Sequence, residues 1–115
     1  MPSEPSATVQ VDGAQIAYCR DGNGLPLLVL NGFAATSADW EPSFIDRLAS
    51  SSELILLDHR GIGSSTDDGR PFDIARLADD AVRVIDALGF ERTSVLGWSM
   101  GGFIAQMLAL EHPHC

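Results

Sequence analysis

Apolar residues near the start of the chain alternate with polar ones. The segment from Thr8 to Arg20 alternates on both sides of Asp12-Gly13. An Asp-Gly pair between two alternating runs is typical of a two-residue hairpin turn. The pattern predicts an antiparallel hairpin, with Cys19 in its second strand and one face carrying Val9, Val11, Ala14, Ile16 and Tyr18.

Three later apolar runs do not alternate: Leu27 to Leu30, Leu54 to Leu57, and the stretch TSVL at residues 93–96. Uninterrupted apolar runs of this length are typical of strands buried on both faces of a parallel sheet. We therefore expect three buried parallel strands after the hairpin.

The segments between these runs have helical spacing. The first places Trp40, Phe44, Ile45 and Leu48 on one stripe, with Asp39 as a cap and Pro42 in the first turn. The second is predicted from Asp73, its cap, to Leu88, with Gly89 after its end, and the third runs from Met100 to Glu111.

This order of elements predicts an α/β fold in one domain spanning residues 1–115. We expect a mostly parallel sheet with an antiparallel N-terminal hairpin and helices on both faces. If TSVL is the last strand, one of its edges has no partner, which natural sheets seldom leave open. The isolated chain is then expected to be marginally stable, and to self-associate or pair with a further segment through that edge.

Composition and charge narrow the function classes. The chain is 45% apolar and carries 16 acidic against 7 basic residues, a formal charge of −9 with no basic patch. A polyanion would be repelled, so we expect no nucleic-acid partner. The pairs Asp67-Asp68 and Asp79-Asp80 are interpreted as solvated surface because no His or Cys stands at ligand spacing, and no metal is predicted.

Cysteine usage and the N-terminal segment bear on location. Cys19 and Cys115 are too far apart in sequence to suggest a disulfide framework, and both are expected to be reduced thiols. The start, MPSEPSATVQ, has neither a basic nor an apolar signal region, and no apolar run approaches the roughly 18 residues of a membrane span. We expect a cytoplasmic protein with no membrane association.

The stretch LGWSMGG, residues 96–102, sets Ser99 among glycines between a predicted strand and a predicted helix. A chain that turns from a strand into a helix within about one residue strains its backbone and crowds its neighbours. Gly97, Gly101 and Gly102 are expected to remove the collisions. Ser99 would then project at a helix N-terminus, as a nucleophile requires.

Three stretches carry a resemblance to a known family, because their order and spacing match the family pattern. They are GWSMGG at residues 97–102, LNGF at residues 30–33 and DHRGIGSS at residues 58–65. With them, the chain resembles the first half of an α/β-hydrolase of the serine-hydrolase superfamily. The resemblance implies that Ser99 is the nucleophile and that the backbone amides of Phe33 and Met100 form the oxyanion hole.

The same resemblance suggests substrate contacts for Asn31, Gly32 and Trp98. The family usually has His-Gly where this chain has Asn31-Gly32. Asn31 is either a loop-stabilising hydrogen bonder or a direct substrate contact. Asp58 and Arg60 are expected to fix loops near the site, since DHRGIGSS lacks the third glycine of a dinucleotide fingerprint and the Gly-Lys-Ser/Thr of a P-loop. No cofactor is predicted.

A serine nucleophile needs a base and an orienting acid. His59 lies inside DHRGIGSS, while His112 and His114 lie past the far end of the helix, on the order of 20 Å from Ser99. In the family, the acid and base follow later strands. We therefore interpret residues 1–115 as the N-terminal half of one domain, whose C-terminal half carries the cap, the acid and the base.

The sequence thus predicts a serine hydrolase acting on an ester, thioester, lactone or similar small acyl substrate through an acyl-serine intermediate, competent only with the C-terminal half. Ser99 argues against the epoxide hydrolase and dehalogenase branches, which use aspartate at this position. Carbon-carbon hydrolases and cofactor-free haloperoxidases remain open. The alternative is a non-catalytic relative that binds a small ligand or a partner.

Overall fold

Five strands form one mixed sheet in the computed structural model, which describes residues 7–11, 13–32 and 35–113. The strands are β1 (Ala7–Val11), β2 (Ala14–Asp21), β3 (Leu25–Leu30), β4 (Ser52–Leu57) and β5 (Ser94–Gly97), in the spatial order β1-β2-β4-β3-β5. β3 is parallel to β4 and to β5, and β2 is antiparallel to β1 and to β4. The predicted hairpin, parallel strands and α/β class are confirmed.

Three α-helices connect or follow the strands: α1 (Pro42–Ala49), α2 (Ile74–Ala87) and α3 (Met100–Glu111). Asp73 caps α2 as predicted, its carboxylate accepting from the Arg76 N–H at 3.0 Å. The predicted cap of α1 is wrong. Glu41 caps α1, because Asp39 ends a preceding 3₁₀ turn (Ser37–Asp39) and its carboxylate accepts from the Thr36 N–H.

Helices cover both faces of the sheet, as expected. One core cluster joins α2 and α3 to the sheet and includes Ile16, Tyr18, Leu28, Leu30, Ile55, Leu57, Leu77, Ala81, Ile85, Ile104 and Leu108. The second cluster joins α1 to the other face through Cys19, Val29, Ile45, Leu54 and Leu56. Cys19 is a buried free thiol, and Cys115 lies outside the described residues.

β5 departs from the sequence expectation. It was expected to be buried on both faces, but Ser94 is exposed and Val95, Leu96 and Gly97 are only partly buried. The reason is position, because within the described residues β5 pairs with β3 alone and forms the edge of the sheet. The unpaired edge inferred from the sequence is therefore present in the described structure.

The acidic pairs are not all solvated surface. Asp80 is buried, and its carboxylate accepts from Arg60 Nε at 3.0 Å and Nη2 at 2.9 Å. Asp68 lies within ion-pair distance of Arg60, Arg70 and Arg76. Sequence spacing could not reveal the pairs Arg60–Asp80 and Arg76–Asp68, because each joins the loop after β4 to α2. Asp67 and Asp79 are exposed, as predicted.

The chain order creates a crevice at one end of the sheet. From β3 the chain passes through α1 to β4 on one side, then through α2 to β5 on the other side of β3. In open α/β sheets such a reversal leaves a crevice at the carboxyl ends of the two strands, where ligands bind. Leu30 and Gly97 are register partners at this end, so the loops after β3 and β5 begin side by side.

Candidate active site

Ser99 lies at the turn between β5 and α3 in a strained conformation. Its φ is 57° and its ψ is −120°, and it is the single non-glycine residue at positive φ in the described part of the chain. Side chains avoid this region because of steric conflict with the backbone, at a cost of about 1–3 kcal/mol. The residue is exposed in the described structure.

Close backbone packing explains two of the three neighbouring glycines. A Cβ on Gly97 would collide with the backbone of Gly101, and one on Gly101 would collide with Leu30 and lie 2.8 Å from the Asn31 oxygen. Gly102 differs, since its Cβ would meet only the Gly97 oxygen, at 3.7 Å. The expectation that all three glycines prevent collisions is therefore wrong for Gly102.

Met100 and Gly32 both lie beside Ser99, and the Gly32 N–H donates to Asn31 Oδ1. Met100 begins α3, and the first amides of a helix have no acceptor within it. Gly32, in the loop after β3, is so close that an added Cβ would lie 3.3 Å from Ser99 Cβ and 3.7 Å from its Oγ. The structure brings Gly32, Ser99 and Met100 together. Phe33, the other predicted oxyanion residue, lies outside the described residues.

Asn31 holds the loop that carries Gly32. Its Oδ1 accepts from the Gly32 N–H at 2.8 Å, and its Nδ2 donates to the Thr36 oxygen at 3.0 Å. The residue is 6% exposed. Of the two roles that the sequence left open, these contacts are those of a loop-stabilising residue.

The loop after β4 supports the loop after β3 through hydrogen bonds. The Asp58 carboxylate accepts from the Ser37 N–H at 2.7 Å and from the Ser64 N–H at 3.1 Å, which joins the two loops. His59 Nε2 lies 3.2 Å from the Asn31 oxygen. These contacts, with the Arg60–Asp80 pair, agree with the structural role that the sequence suggested for DHRGIGSS.

Neither described histidine is placed to serve Ser99. His59 is buried, its Nε2 contacts the Asn31 oxygen, and burial lowers its pKa from the ordinary value of 6.5. His112 caps the far end of α3, with Nε2 2.8 Å from the Asp79 carboxylate. His114 lies outside the described residues. The described part of the chain therefore supplies a candidate nucleophile without its base.

Two grooves are lined by the residues next to Ser99 in the sequence, one by Met100 and the other by Trp98. The first, next to Met100, has a volume of about 340 Å³ and is lined by His59, Arg60, Ile62, Phe72, Asp73, Ile74, Leu77 and Met100. The second, which we call the aromatic groove, has a volume of about 400 Å³ and is lined by Asn31, Asp39, Trp40, Glu41, Phe44 and Trp98. Both volumes fall in the usual range of small-molecule sites.

Sequence reasoning missed most of the aromatic groove. Trp40 packs against the second core cluster, as its place on the helical stripe predicts, but Phe44 is 39% exposed and its ring stacks on Trp40 with centroids 5.8 Å apart. Trp98, predicted to bind substrate, does line the groove and is 66% exposed. The available signal was an aromatic pair at i, i+4 just after the LNGF loop.

Comparisons with known proteins identify the family of the chain. The family model described as "alpha/beta hydrolase fold" matches residues 26–115. The chain belongs to the alpha/beta hydrolase fold family. The predicted resemblance is thereby confirmed for the family and the fold.

Named relatives in this family act on several kinds of substrate. "Putative carbamate hydrolase RutD" of Azorhizobium caulinodans is 39% identical over 87% of this chain and 37% of its own length. A soluble epoxide hydrolase of Corynebacterium sp. (strain C12) is 29% identical over 89% of this chain and 35% of its own. The solved structure of Est816, an N-acyl homoserine lactone degrading enzyme, superposes with a TM-score of 0.87 at 36% identity, over 94% of this chain and 41% of its own.

The chain spans about two fifths of the length of the proteins it matches, between 35% and 41% for these three. What the described residues provide is the crevice, the strained Ser99 turn and the loop carrying Gly32. Among these residues, no group of three or more His, Cys, Asp or Glu side chains is placed to hold a metal ion. No helix in the described ranges is long and apolar enough to cross a membrane.

Proposed function

We propose that the whole protein is a serine hydrolase that attacks an ester, thioester, lactone or similar carbonyl compound with Ser99. The observation that carries the proposal is the strained, exposed Ser99 at the start of α3. Backbone strain of this kind persists only where the surrounding structure enforces it, and it is concentrated at functional sites. Here Leu30, Asn31 and Gly101 provide the close packing that enforces it.

In the proposed reaction, the Ser99 oxygen bonds to the carbonyl carbon as a base removes its proton. The negative charge on the carbonyl oxygen is stabilised by the Met100 N–H and by the N–H of Phe33, each such donor being worth roughly 2.7–4 kcal/mol. Collapse of this intermediate expels the alcohol, thiol or amine and leaves an acyl-Ser99 ester, which water then hydrolyses. The base and its orienting acid are assigned to chain outside residues 1–115.

Relatives named for carbamate and lactone hydrolysis support an acyl substrate, since both compounds carry a carbonyl carbon as the point of attack. A relative named as an epoxide hydrolase points to a second reaction. Ser99 argues for the first, because a serine hydroxyl activated by a base is the nucleophile of acyl transfer. A binding protein without catalysis is the remaining alternative.

A fluorescent alkyl phosphonate tests the nucleophile, because it forms a stable bond only with an activated serine. We expect the whole protein to be labelled, and Ser99→Ala to abolish labelling and lower ester hydrolysis by about 10⁴-fold or more. The control is Ser51→Ala, which changes an exposed serine in the turn before β4 and should leave both unchanged. Unlabelled wild-type protein would favour the binding alternative, and turnover of styrene oxide but no ester would favour the epoxide reaction.

A further inference from the structure

We infer that the aromatic groove is a specificity site for an aromatic ring that carries no negative charge. The inference rests on the proposed function of Ser99, because it assigns the groove to part of the substrate attacked there. The groove is adjacent to the nucleophile, since Trp98 precedes Ser99 and Asn31 precedes Gly32.

The rings of the groove are arranged to receive another ring. Trp40 and Phe44 stack with an interplanar angle of 25°. Trp98, one of the two tryptophans that line the groove, is 66% exposed in the described structure. Aromatic rings prefer offset or edge-to-face partners at centroid distances of about 4.5–7 Å. A ring entering the groove completes such a set with Trp98.

The size of the groove fits this occupant. Its volume is about 400 Å³. A cavity of about 150 Å³ already accommodates benzene. The groove therefore has room for a benzyl-sized group with several further atoms that lead toward Ser99.

Charge at the rim selects against anions. Asp39 and Glu41 both line the groove. Their positions are fixed by hydrogen bonds, Asp39 to the Thr36 N–H at 2.8 Å and Glu41 to the Phe44 N–H at 3.1 Å. Hydrogen bonds from the Ser43 hydroxyl and the Phe44 N–H also lower the pKa of Glu41, so it is ionised at neutral pH. An anionic ligand near these carboxylates is repelled.

Binding can be measured without catalysis because both tryptophans of residues 1–115 line the groove, and comparison with Trp98→Phe separates their emission from that of tryptophans elsewhere in the whole protein. The whole protein is titrated with benzyl alcohol, cyclohexylmethanol and phenylacetate while tryptophan emission is recorded. We expect saturable binding of benzyl alcohol, at least about threefold tighter than cyclohexylmethanol because of ring stacking. Phenylacetate should bind at least about threefold more weakly than benzyl alcohol, as unit charges a few ångströms apart repel even in water.

Matched variants assign the effect to the groove. Trp98→Leu should remove the preference for the aromatic ring, and Trp98→Phe should restore it. Phe103→Leu is the control, since Phe103 is a similarly exposed ring, at 64%, on α3. Glu41→Gln should narrow the gap between benzyl alcohol and phenylacetate, while Asp46→Asn, an equal charge change at an exposed site on α1, should not.

Kinetics provide the second readout. With esterase activity present, kcat/KM for benzyl acetate should exceed that for cyclohexylmethyl acetate, and Trp98→Leu should remove the difference. Equal binding of the two alcohols, or an unchanged preference in Trp98→Leu, would overturn the inference. Selective binding without phosphonate labelling would support the aromatic groove as a ring-binding site and contradict the proposed hydrolase activity. Labelling without selective binding would support the hydrolase activity and contradict the inference about the groove.

Discussion

At the scale of single residues, the two glycines that follow Met100 have different roles. Gly101 packs against the backbone of Leu30 and Asn31, so that the start of α3 lies directly on the end of β3. Gly102 has room for a methyl group. The same residue type is thus a packing requirement at one position and a matter of helix propensity at the next.

A matched pair of substitutions tests this difference. Gly101→Ala should lower the free energy of unfolding by about 1–3 kcal/mol, because the new methyl group forces the α3 backbone away from β3. Gly102→Ala should be neutral or raise it by up to about 1 kcal/mol, because alanine favours helix. Urea unfolding of both variants measures the two values. Equal destabilisation would show that the backbones are not in the described contact.

Asn31 is a second residue whose role depends on its neighbours. Asn31→Asp should retain acceptance from the Gly32 N–H but lose donation to the Thr36 oxygen. The loop carrying Gly32 loosens, and stability falls by about 1–3 kcal/mol because one hydrogen bond is lost and a carboxylate replaces an amide at a position that is only 6% exposed. Thermal unfolding measures the loss. Stability equal to wild type together with a raised KM would instead indicate a direct substrate contact.

At the scale of elements, a buried ion pair ties α2 to the loop after β4. The Arg60 side chain is fully buried and that of Asp80 is 4% exposed. Removing one partner of a buried pair leaves a charge without compensation. The connection therefore determines how α2 lies against the loop that supports Asn31.

Two aspartates of α2 should therefore differ strongly in how much their substitution lowers the free energy of unfolding. Asp80→Asn should lower the free energy of unfolding by about 3 kcal/mol. Asp86→Asn, on the exposed face of α2, should change it by less than about 0.5 kcal/mol. Chemical denaturation compares them. Similar small effects for both would mean that the pair is not isolated from water.

At the scale of the whole molecule, buried His59 makes stability depend on pH. Burial lowers its folded pKa below 6.5, so the unfolded chain binds a proton that the folded protein excludes. The melting temperature should fall as pH drops from 7.5 to 5. Asp68 affects stability at lower pH. Hydrogen bonds with Arg76 lower its pKa from 3.8, so the stability that its ionised form contributes is lost only when the pH falls below 3.8.

Scanning calorimetry across this range checks the assignment. His59→Gln should be less stable than wild type at pH 7.5 but should lose less on acidification. Gly101→Ala, which is destabilised without loss of a titratable group, is the control and should retain the wild-type slope. An unchanged slope in His59→Gln would place the titrating group elsewhere.

The sheet edge and the outer face of α3 bear on association. β5 pairs only with β3 among the described strands, and Phe103 and Leu110 are 64% and 78% exposed. Such surfaces promote pairing with other chain segments. We expect the 115-residue chain alone to associate as concentration rises in sedimentation experiments, and Phe103→Glu with Leu110→Lys to reduce this. A monomer at all concentrations would contradict the expectation.

The sequence by itself determined the class of fold and the position of Ser99. Alternation predicted the hairpin, uninterrupted apolar runs predicted the parallel strands, and spacings of three to four predicted the three helices. The GWSMGG, LNGF and DHRGIGSS stretches predicted the family. These are local signals, because periodicity and turn chemistry depend on residues close together in the chain.

Only the tertiary structure decided which neighbours each side chain meets. It placed β5 at an edge, made Asp80 the buried partner of Arg60, showed that Gly102 is not crowded, and brought Trp40 and Phe44 beside Trp98. The β5 edge, the Arg60–Asp80 pair and the aromatic groove each depend on segments that are distant in sequence. Their proximity follows from strand order and helix packing, which local spacing does not specify.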